Sequence, residues 1–172
     1  MMNPYDGSRG TRLAGIGYYI PERVLTNFDL EKMVYTTDEW IVTRTGIHER
    51  HIAKAEEASS DMAIHAAHKA MADAKVSAGD IDLIVVGTAT GDLPFPSTAC
   101  IVQYNIGAKN AAAFDVNAVC AGFIYALTVG AQFVGTGMSH KVMVIGADTF
   151  SRITDWSRRD CVFFGDGAGA VI

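Results

Sequence analysis

Cysteine is scarce in this 172-residue chain, and its spacing excludes two common roles. Only Cys100, Cys120 and Cys161 are present, and they form neither a close pair nor a CxxC motif. An odd, widely spaced set does not build a disulfide framework or a structural zinc site. The pattern favours a reducing compartment, so we expect a cytoplasmic protein.

Long apolar runs and excess positive charge are also missing. No run approaches the ~20 apolar residues that span a bilayer, and the first ten residues are too polar for a secretory signal. Acidic residues outnumber basic ones by 19 to 14, giving a net charge of -5. We therefore expect neither a membrane nor a nucleic acid as partner. Residues 1–10 are predicted to be a disordered leader before one domain at 11–172, whose 49% hydrophobic residues can build a core.

Apolar strand-like segments alternate with helix-like segments along the rest of the chain. Strands are predicted at 13–20, 81–86, 113–117, 142–146, 161–164 and 168–172. Helices are predicted at 27–33, from 37, at 59–75, at 97–106 and from 121, with Asn27, Ser59 or Ser60, and Ser97 as N-caps and with Thr37 opening the second helix. Repeated alternation of the two element types predicts an α/β layered domain.

Cys120 differs from the other cysteines in what surrounds it. It follows the predicted strand at 113–117 and precedes the apolar helix predicted from Ala121. A cysteine at such a turn lies at the positive end of a helix dipole, which favours the nucleophilic thiolate. Ala121 and Gly122 are small and leave room for an acyl group. The alternative is an inert cysteine in an apolar helix, and the local sequence does not decide between the two.

Five segments, taken together, carry a resemblance to a known family. They are Gly15–Pro21 (GIGYYIP), Thr37–Ile47 (TDEWIVTRTGI), Phe95–Cys100 (FPSTAC), Ala113–Leu127 around Cys120, and Phe164–Ala170 (FGDGAGA). In this order they resemble the N-terminal half of β-ketoacyl-acyl-carrier-protein synthase III, a thiolase-fold condensing enzyme. The resemblance implies a thiolase-like layered α/β fold, with a mixed five-stranded sheet flanked by helices. Because the family's enzymes have two similar halves, we expect this chain to be the first half only.

The resemblance also implies a chemistry. In this family a cysteine takes an acyl group from acyl-coenzyme A, and the thioester then condenses with malonyl-acyl-carrier protein. Cys120 matches that nucleophile, and its backbone N–H would donate to the thioester oxygen. The family's catalytic histidine and asparagine come from the second half, and no motif here matches them. Coenzyme A enters as a substrate thioester, so no separate cofactor is expected.

Five further residues match substrate-binding positions of the family. Trp40, Arg44 and Arg159 match the coenzyme A entrance, where an indole and a guanidinium can sandwich adenine. Thr36 matches a position near the same entrance. Phe95 matches the residue that crosses a dimer interface to cap the partner's acyl pocket. The alternative for Trp40 and the arginines is an ordinary helix surface, and the sequence leaves open whether Arg158 or Arg159 faces the nucleotide.

The remaining polar residues have simpler interpretations. The histidines at 48, 51, 65, 68 and 140 have no catalytic counterpart in the family, and we expect surface or hydrogen-bonded side chains. His65 and His68 lack a third ligand, so no metal site is expected. Arg50, His51 and Lys54 are predicted to lie on a solvated loop. The segment 165–167 (GDG) is predicted to be a tight turn under the active site.

These observations predict an acyltransferase that starts fatty-acid synthesis. One alternative is a related thiolase-fold acyltransferase of a specialised, polyketide-type pathway. The other is a non-catalytic half that serves as an assembly or binding module. The partners expected are acyl-coenzyme A, malonyl-acyl-carrier protein and either a C-terminal half or a second copy, with a homodimer favoured.

Overall fold

Seven strands form one mixed sheet and one two-stranded sheet in the computed structural model, which describes residues 10–172. The strands are β1 (Ile16–Tyr19), β2 (Arg23–Thr26), β3 (Glu49–Ile52), β4 (Leu83–Gly87), β5 (Ala112–Val116), β6 (Val142–Thr149) and β7 (Asp166–Val171). The five-stranded sheet has the order β1-β7-β6-β4-β5, in which β6, β4 and β5 are parallel and β7 is antiparallel to both neighbours. The predicted mixed five-stranded sheet is confirmed.

Helices cover both faces of this sheet. They are α1 (Asn27–Glu31), α2 (Asp38–Thr45), α3 (Ser59–Ala74), α4 (Thr98–Ile106) and α5 (Gly122–Gly135). Alternate residues of β4 serve the two faces: Ile84 and Val86 pack toward α3 and α4, whereas Leu83 and Val85 pack toward α5. A strand buried on both faces must be apolar throughout, which is why this segment is a continuous hydrophobic run.

The two-stranded antiparallel sheet of β2 and β3 was not predicted. Its strands pair from Arg23 with Ile52 to Thr26 with Glu49. It adjoins a separate small core built from Leu30, Ile41 and Val162. The prediction of a solvated loop around Arg50 and His51 is therefore wrong, because both residues lie in β3 and Arg50 is buried.

The helix N-termini test the predicted caps. Ser97 caps α4 as predicted, accepting from the backbone N–H of Cys100. Thr37, predicted to open its helix, is the N-cap of α2 and accepts from the backbone N–H of Trp40. Asn27 does not cap α1, because Thr26 does so in a capping box with Asp29. Neither Ser59 nor Ser60 caps α3. Both lie inside the first turn, where their hydroxyls bond Thr90 and Asp92 of a distant loop.

The C-terminal part differs from the prediction in three places. The segment predicted as a strand at 161–164 is a 3-10 turn, Arg159–Phe163. The sequence 165–167 is no tight turn, because Asp166 already begins β7. Strand β6 runs on to Thr149, three residues beyond its predicted end. The Asp166 carboxylate accepts hydrogen bonds from the Ala53 N–H and from the N–H and hydroxyl of Ser151. These bonds tie the start of β7 to two other segments.

The predicted leader lies outside the described residues, except for Gly10, which is exposed. Within residues 10–172, every helix is too short or too polar to cross a membrane.

Candidate active site

Cys120 lies at a strand-to-helix turn, as the sequence predicted. Strand β5 ends at Val116, a 3-10 turn occupies Val119–Ala121, and α5 begins at Gly122. Val119 has a φ of 49°, a left-handed conformation that is costly for a β-branched residue. Strain of this kind persists only where the surroundings enforce it, and it is common beside functional groups. The backbone thus presents Cys120 on a sharp turn.

A cavity of about 250 Å³ opens at this turn. Its lining comes from the ends of three strands and from the turn itself: Gly87, Val119, Cys120, Phe123, Gly146, Ala147, Asp148, Gly165 and Gly167. Gly87 is required by packing, because a Cβ there would lie 2.6 Å from the carbonyl carbon of Gly122. The glycine lets β4 touch the first turn of α5, which fixes where the thiol stands.

The three cysteines differ sharply in access. Cys120 is exposed, Cys100 is half-buried with its sulfur 3.7 Å from the Ala113 carbonyl oxygen, and Cys161 is fully buried. Burial raises the pKa of the Cys161 thiol, which keeps it protonated. Within residues 10–172 the backbone N–H of Cys120 has no hydrogen-bond acceptor. This N–H therefore has no internal partner in the part of the chain that the structure describes.

Trp40 forms a second site with two arginines. The Arg159 guanidinium carbon lies 3.6 Å from the centre of the Trp40 ring, and that of Arg44 lies 5.1 Å away. Trp40 and Arg159, with Arg158, Asp160 and Phe163, line a cleft of about 450 Å³. Two cations on one indole make a site that suits an aromatic base carrying phosphates.

The structure also separates Arg158 from Arg159. Arg158 forms an ion pair with Asp160, with its Nη2 2.9 Å from a carboxylate oxygen, and this pairing raises the pKa of Arg158. Arg159 has no such carboxylate partner within residues 10–172 and stacks on Trp40 instead. Thr36 precedes α2, and its hydroxyl is buried without a hydrogen-bond partner among the described residues. The role of each residue toward a ligand stays a prediction.

Phe95 is not brought to either cavity. It lies on the loop between β4 and α4, and 84% of its surface is exposed. It lines neither the Cys120 cavity nor the Trp40 cleft. Its predicted role across a dimer interface stays a prediction.

Sequence reasoning missed Asp148, which lines the Cys120 cavity. One of its carboxylate oxygens accepts from the backbone N–H groups of Ala89 and Thr90 and from the hydroxyls of Thr88 and Thr90. It thereby fixes the loop that leaves β4 beside the thiol. No local signal marks it, because its partners lie about 60 residues earlier in the chain.

Three of the five histidines make contacts outside both cavities. The His65 ring stacks on Tyr19 with ring centres 4.8 Å apart, and His51 Nδ1 bonds the Pro21 carbonyl oxygen. His140 lies 3.9 Å from the Asp82 carboxylate. Among residues 10–172 no three histidine, cysteine or acidic side chains converge as metal ligands would.

Comparison with known proteins gives a consistent result. Residues 114–172 match the family model of 3-oxoacyl-[acyl-carrier-protein] synthase III. Proteins named β-ketoacyl-[acyl-carrier-protein] synthase III from Caldanaerobacter subterraneus subsp. tengcongensis and Xylella fastidiosa are 58% and 60% identical to this chain. These matches cover 93% and 94% of the chain but 49% and 50% of the relatives. The chain thus spans about half the length of the curated relatives that it matches.

Solved structures extend the comparison to the fold. The 3-oxoacyl-[acyl-carrier-protein] synthase III of Aquifex aeolicus superimposes with a TM-score of 0.91 at 53% identity, over 94% of this chain and 53% of that one. The priming β-ketosynthase of the R1128 polyketide pathway superimposes with a TM-score of 0.90 at 38% identity, over 95% of this chain and 49% of that one.

Proposed function

We propose that this chain, which belongs to the β-ketoacyl-acyl-carrier-protein synthase III family, supplies the nucleophile and the coenzyme A entrance of an acyltransferase that starts fatty-acid synthesis. The single observation that carries the proposal is the placement of Cys120. It is the exposed cysteine of the chain and lies in a cavity at a strained strand-to-helix turn. An accessible thiol with an unoccupied N–H beside it is the minimum that thioester exchange needs.

The first half-reaction follows from this geometry. The Cys120 thiolate attacks the carbonyl carbon of an acyl-coenzyme A thioester, and a new carbon–sulfur bond forms. The carbonyl oxygen becomes negative and accepts from the Cys120 N–H. Collapse of this intermediate breaks the original carbon–sulfur bond, and coenzyme A leaves as a thiol once it has taken a proton. The Trp40 cleft holds the nucleotide end of the substrate during these steps.

The second half-reaction needs charge-stabilising groups, and no motif of this chain matches them. Decarboxylation of malonyl-acyl-carrier protein releases carbon dioxide and gives a carbanion, and the charge that develops in this step must be stabilised. The carbanion attacks the acyl-Cys120 carbonyl carbon; a carbon–carbon bond forms, the carbon–sulfur bond to Cys120 breaks, and the thiolate is freed. In the family the stabilising groups are a histidine and an asparagine of the second half. We therefore infer that condensation requires a C-terminal half, and that the assembled enzyme works as a dimer in the cytoplasm.

Intact mass spectrometry tests the first half-reaction. After mixing with acetyl-coenzyme A, the chain gains the mass of one acyl group, and peptide mapping places that group on Cys120. The Cys120→Ala variant gains nothing, whereas Cys100→Ala serves as the matched control and is acylated normally. Acylation of Cys100 or Cys161, or none at all, contradicts the proposal.

Turnover tests the second half-reaction. Mixed with acyl-coenzyme A and malonyl-acyl-carrier protein, the chain alone gives no condensation product, because loss of even one charge-stabilising donor costs about a hundredfold. Adding a separately expressed C-terminal half restores turnover. Normal turnover by the chain alone would show that the charge-stabilising groups lie within it.

A polyketide-type role is the second candidate, and the similarity to the R1128 priming β-ketosynthase supports it. That similarity, 38% identity, is weaker than the 53% and 60% shared with the synthase III proteins of Aquifex aeolicus and Xylella fastidiosa. Cys120 would be the nucleophile in both roles, so only the acceptor of its acyl group distinguishes the two. Competition between fatty-acid and polyketide carrier proteins for acyl-Cys120, in the presence of a C-terminal half, distinguishes them. A chain that is never acylated would instead support the non-catalytic binding module.

A further inference from the structure

Arg50 is an unusual residue for the interior of this fold. Only 5% of its surface is exposed, and no carboxylate of residues 10–172 pairs with it. Burial lowers the pKa of its guanidinium, with the neighbouring Cys161 as a smaller influence in the other direction. Burying a cation without a counter-ion costs folding free energy, which an apolar residue at this position would avoid. The hydrogen bonds of Arg50 are what an apolar residue could not provide.

The bonds of Arg50 run to two parts of the molecule that are far apart in sequence. Its Nη2 donates to the Val162 carbonyl oxygen at 2.8 Å, within the 3-10 turn that carries Arg159. Its Nη1 donates to the Asn27 side-chain oxygen at 2.7 Å and to the Leu25 carbonyl oxygen at 3.3 Å. One planar group thus holds the Arg159 turn against the start of α1.

Asn27 carries this connection on to α2. It is fully buried, and its side-chain nitrogen donates to the Asp38 carboxylate and to the Ile47 carbonyl oxygen, both at 2.8 Å. Asp38 is the first residue of α2, two residues before Trp40. The hydrogen bonds that run from Val162 through Arg50 and Asn27 to Asp38, called the relay below, therefore join two elements. One element carries Arg159 and the other carries Trp40, the two side chains that stack on each other.

We propose that Arg50 is a positioning residue for the coenzyme A entrance, setting the spacing between Arg159 and Trp40 through its forked hydrogen bonds. This inference rests on the proposed function. A guanidinium is suited to the task because its donors diverge from one rigid plane, whereas a lysine ammonium is a flexible point charge. Misplacing a binding group by a fraction of its contact distance weakens binding even where every contact residue is present.

A substitution of Arg50 can separate this positioning role from a general contribution to the stability of the fold. Its Cβ packs against Gly165, where an added Cβ would lie 2.9 Å from it, and Gly165 lines the Cys120 cavity. Lysine retains that Cβ, the stem and the charge, but its single nitrogen cannot reproduce the fork in which Nη1 reaches Asn27 and Nη2 reaches Val162. Arg50→Lys should therefore disturb the Trp40 cleft and leave the thiol cavity as it is.

Calorimetric titration of coenzyme A into the full chain is the test, with iodoacetamide alkylation of Cys120 and thermal unfolding measured in parallel. Arg50→Lys is expected to weaken coenzyme A affinity by about tenfold while Cys120 alkylation stays unchanged. Asp38→Ala cuts the relay at its α2 end and is expected to act in the same direction. Glu39→Ala is the matched control, since it removes the same charge from the same turn and touches no relay residue.

Three outcomes overturn the inference. The first is unchanged affinity in a folded Arg50→Lys or Asp38→Ala variant. The second is equal loss of affinity in Glu39→Ala, which would indicate helix charge rather than the relay. The third is no binding of coenzyme A by the unaltered chain. Failure of Cys120 to be acylated, with coenzyme A affinity intact, contradicts the proposed function alone.

Discussion

The guanidinium of Arg159 lies directly on the Trp40 indole, 3.6 Å from the ring centre. Two groups this close leave no gap, because a base inserted between them needs about 7 Å, twice the ~3.5 Å spacing of atoms in contact. An adenine sandwiched by this pair must therefore displace Arg159 from the indole. The alternative is that the base binds beside the stacked pair.

Substitutions in the Trp40 cleft test this entrance. Trp40→Ala and Arg44→Ala are expected to weaken coenzyme A binding by about tenfold, because each removes a partner of the base or its phosphates. Arg158→Ala is expected to have a smaller effect, since Arg158 is paired with Asp160. Titration calorimetry provides the affinities, and Cys120 alkylation should be the same in all three variants. Unchanged affinity in both of the first two variants would remove the proposed entrance.

Gly87→Ala is expected to slow acylation of Cys120 and to destabilise the chain by about 1–3 kcal/mol. The new methyl group would meet Gly122 and the Phe123 N–H at under 3 Å, so the first turn of α5 must move away from β4. Acylation rates and urea unfolding are the measurements. Gly79→Ala is the matched control, because a Cβ at Gly79 meets only the Ser77 hydroxyl, at 3.8 Å. Equal behaviour of the two variants would argue against this packing contact.

The capping box of α1 predicts a pH dependence of stability. Hydrogen bonds from Thr26 and Lys32 lower the pKa of Asp29 from 3.8 to about 2. A carboxyl with a lowered pKa stabilises the fold fully above its unfolded value, and this contribution is lost as the pH falls through its folded value. The stability difference between the chain and Asp29→Asn is therefore expected to be constant above pH 4 and to fade toward pH 2. Urea unfolding at several pH values checks this, and a difference that persists at pH 2 contradicts it.

The β1 face predicts self-association. Ile16 and Tyr18 are 57% and 60% exposed, and Ile16 borders an apolar cleft of about 360 Å³ with Phe123 and Val171. Apolar patches of this kind associate with partners. The chain is expected to sediment as a dimer or larger species at micromolar concentration and to bind a hydrophobic dye, and Ile16→Lys should reduce both. Met138→Lys is the control, because Met138 is 74% exposed outside this cleft. A monodisperse monomer that binds no dye would contradict the prediction.

Features set by neighbouring residues were predictable from the sequence. The strand β4, buried on both faces, follows from its unbroken apolar run. Thr37 and Ser97 cap their helices because a hydroxyl before a helix reaches the first N–H groups locally. The turn that carries Cys120 was predictable for the same reason, since an apolar strand and an apolar helix meet there within six residues.

Features set by distant contacts were not predictable. Arg50 was expected in solvent, and only the pairing of β2 with β3 and the Val162 carbonyl, 112 residues away, explain its burial. Ser59 and Ser60 were expected to cap α3, but a loop about 30 residues later takes their hydroxyls. Asp148 gave no signal for the same reason.

The sequence by itself therefore determined the five strands of the mixed sheet, the turn that carries Cys120 and the helix that carries Trp40, because each depends on apolar periodicity or on caps a few residues away. Only the tertiary structure decided that Arg159 rather than Arg158 stacks on Trp40 and that Gly87 lies against the start of α5. It alone placed Arg50 between the two elements of the cleft. These relationships join segments far apart along the chain, and their geometry exists only once the sheet and its helices have packed.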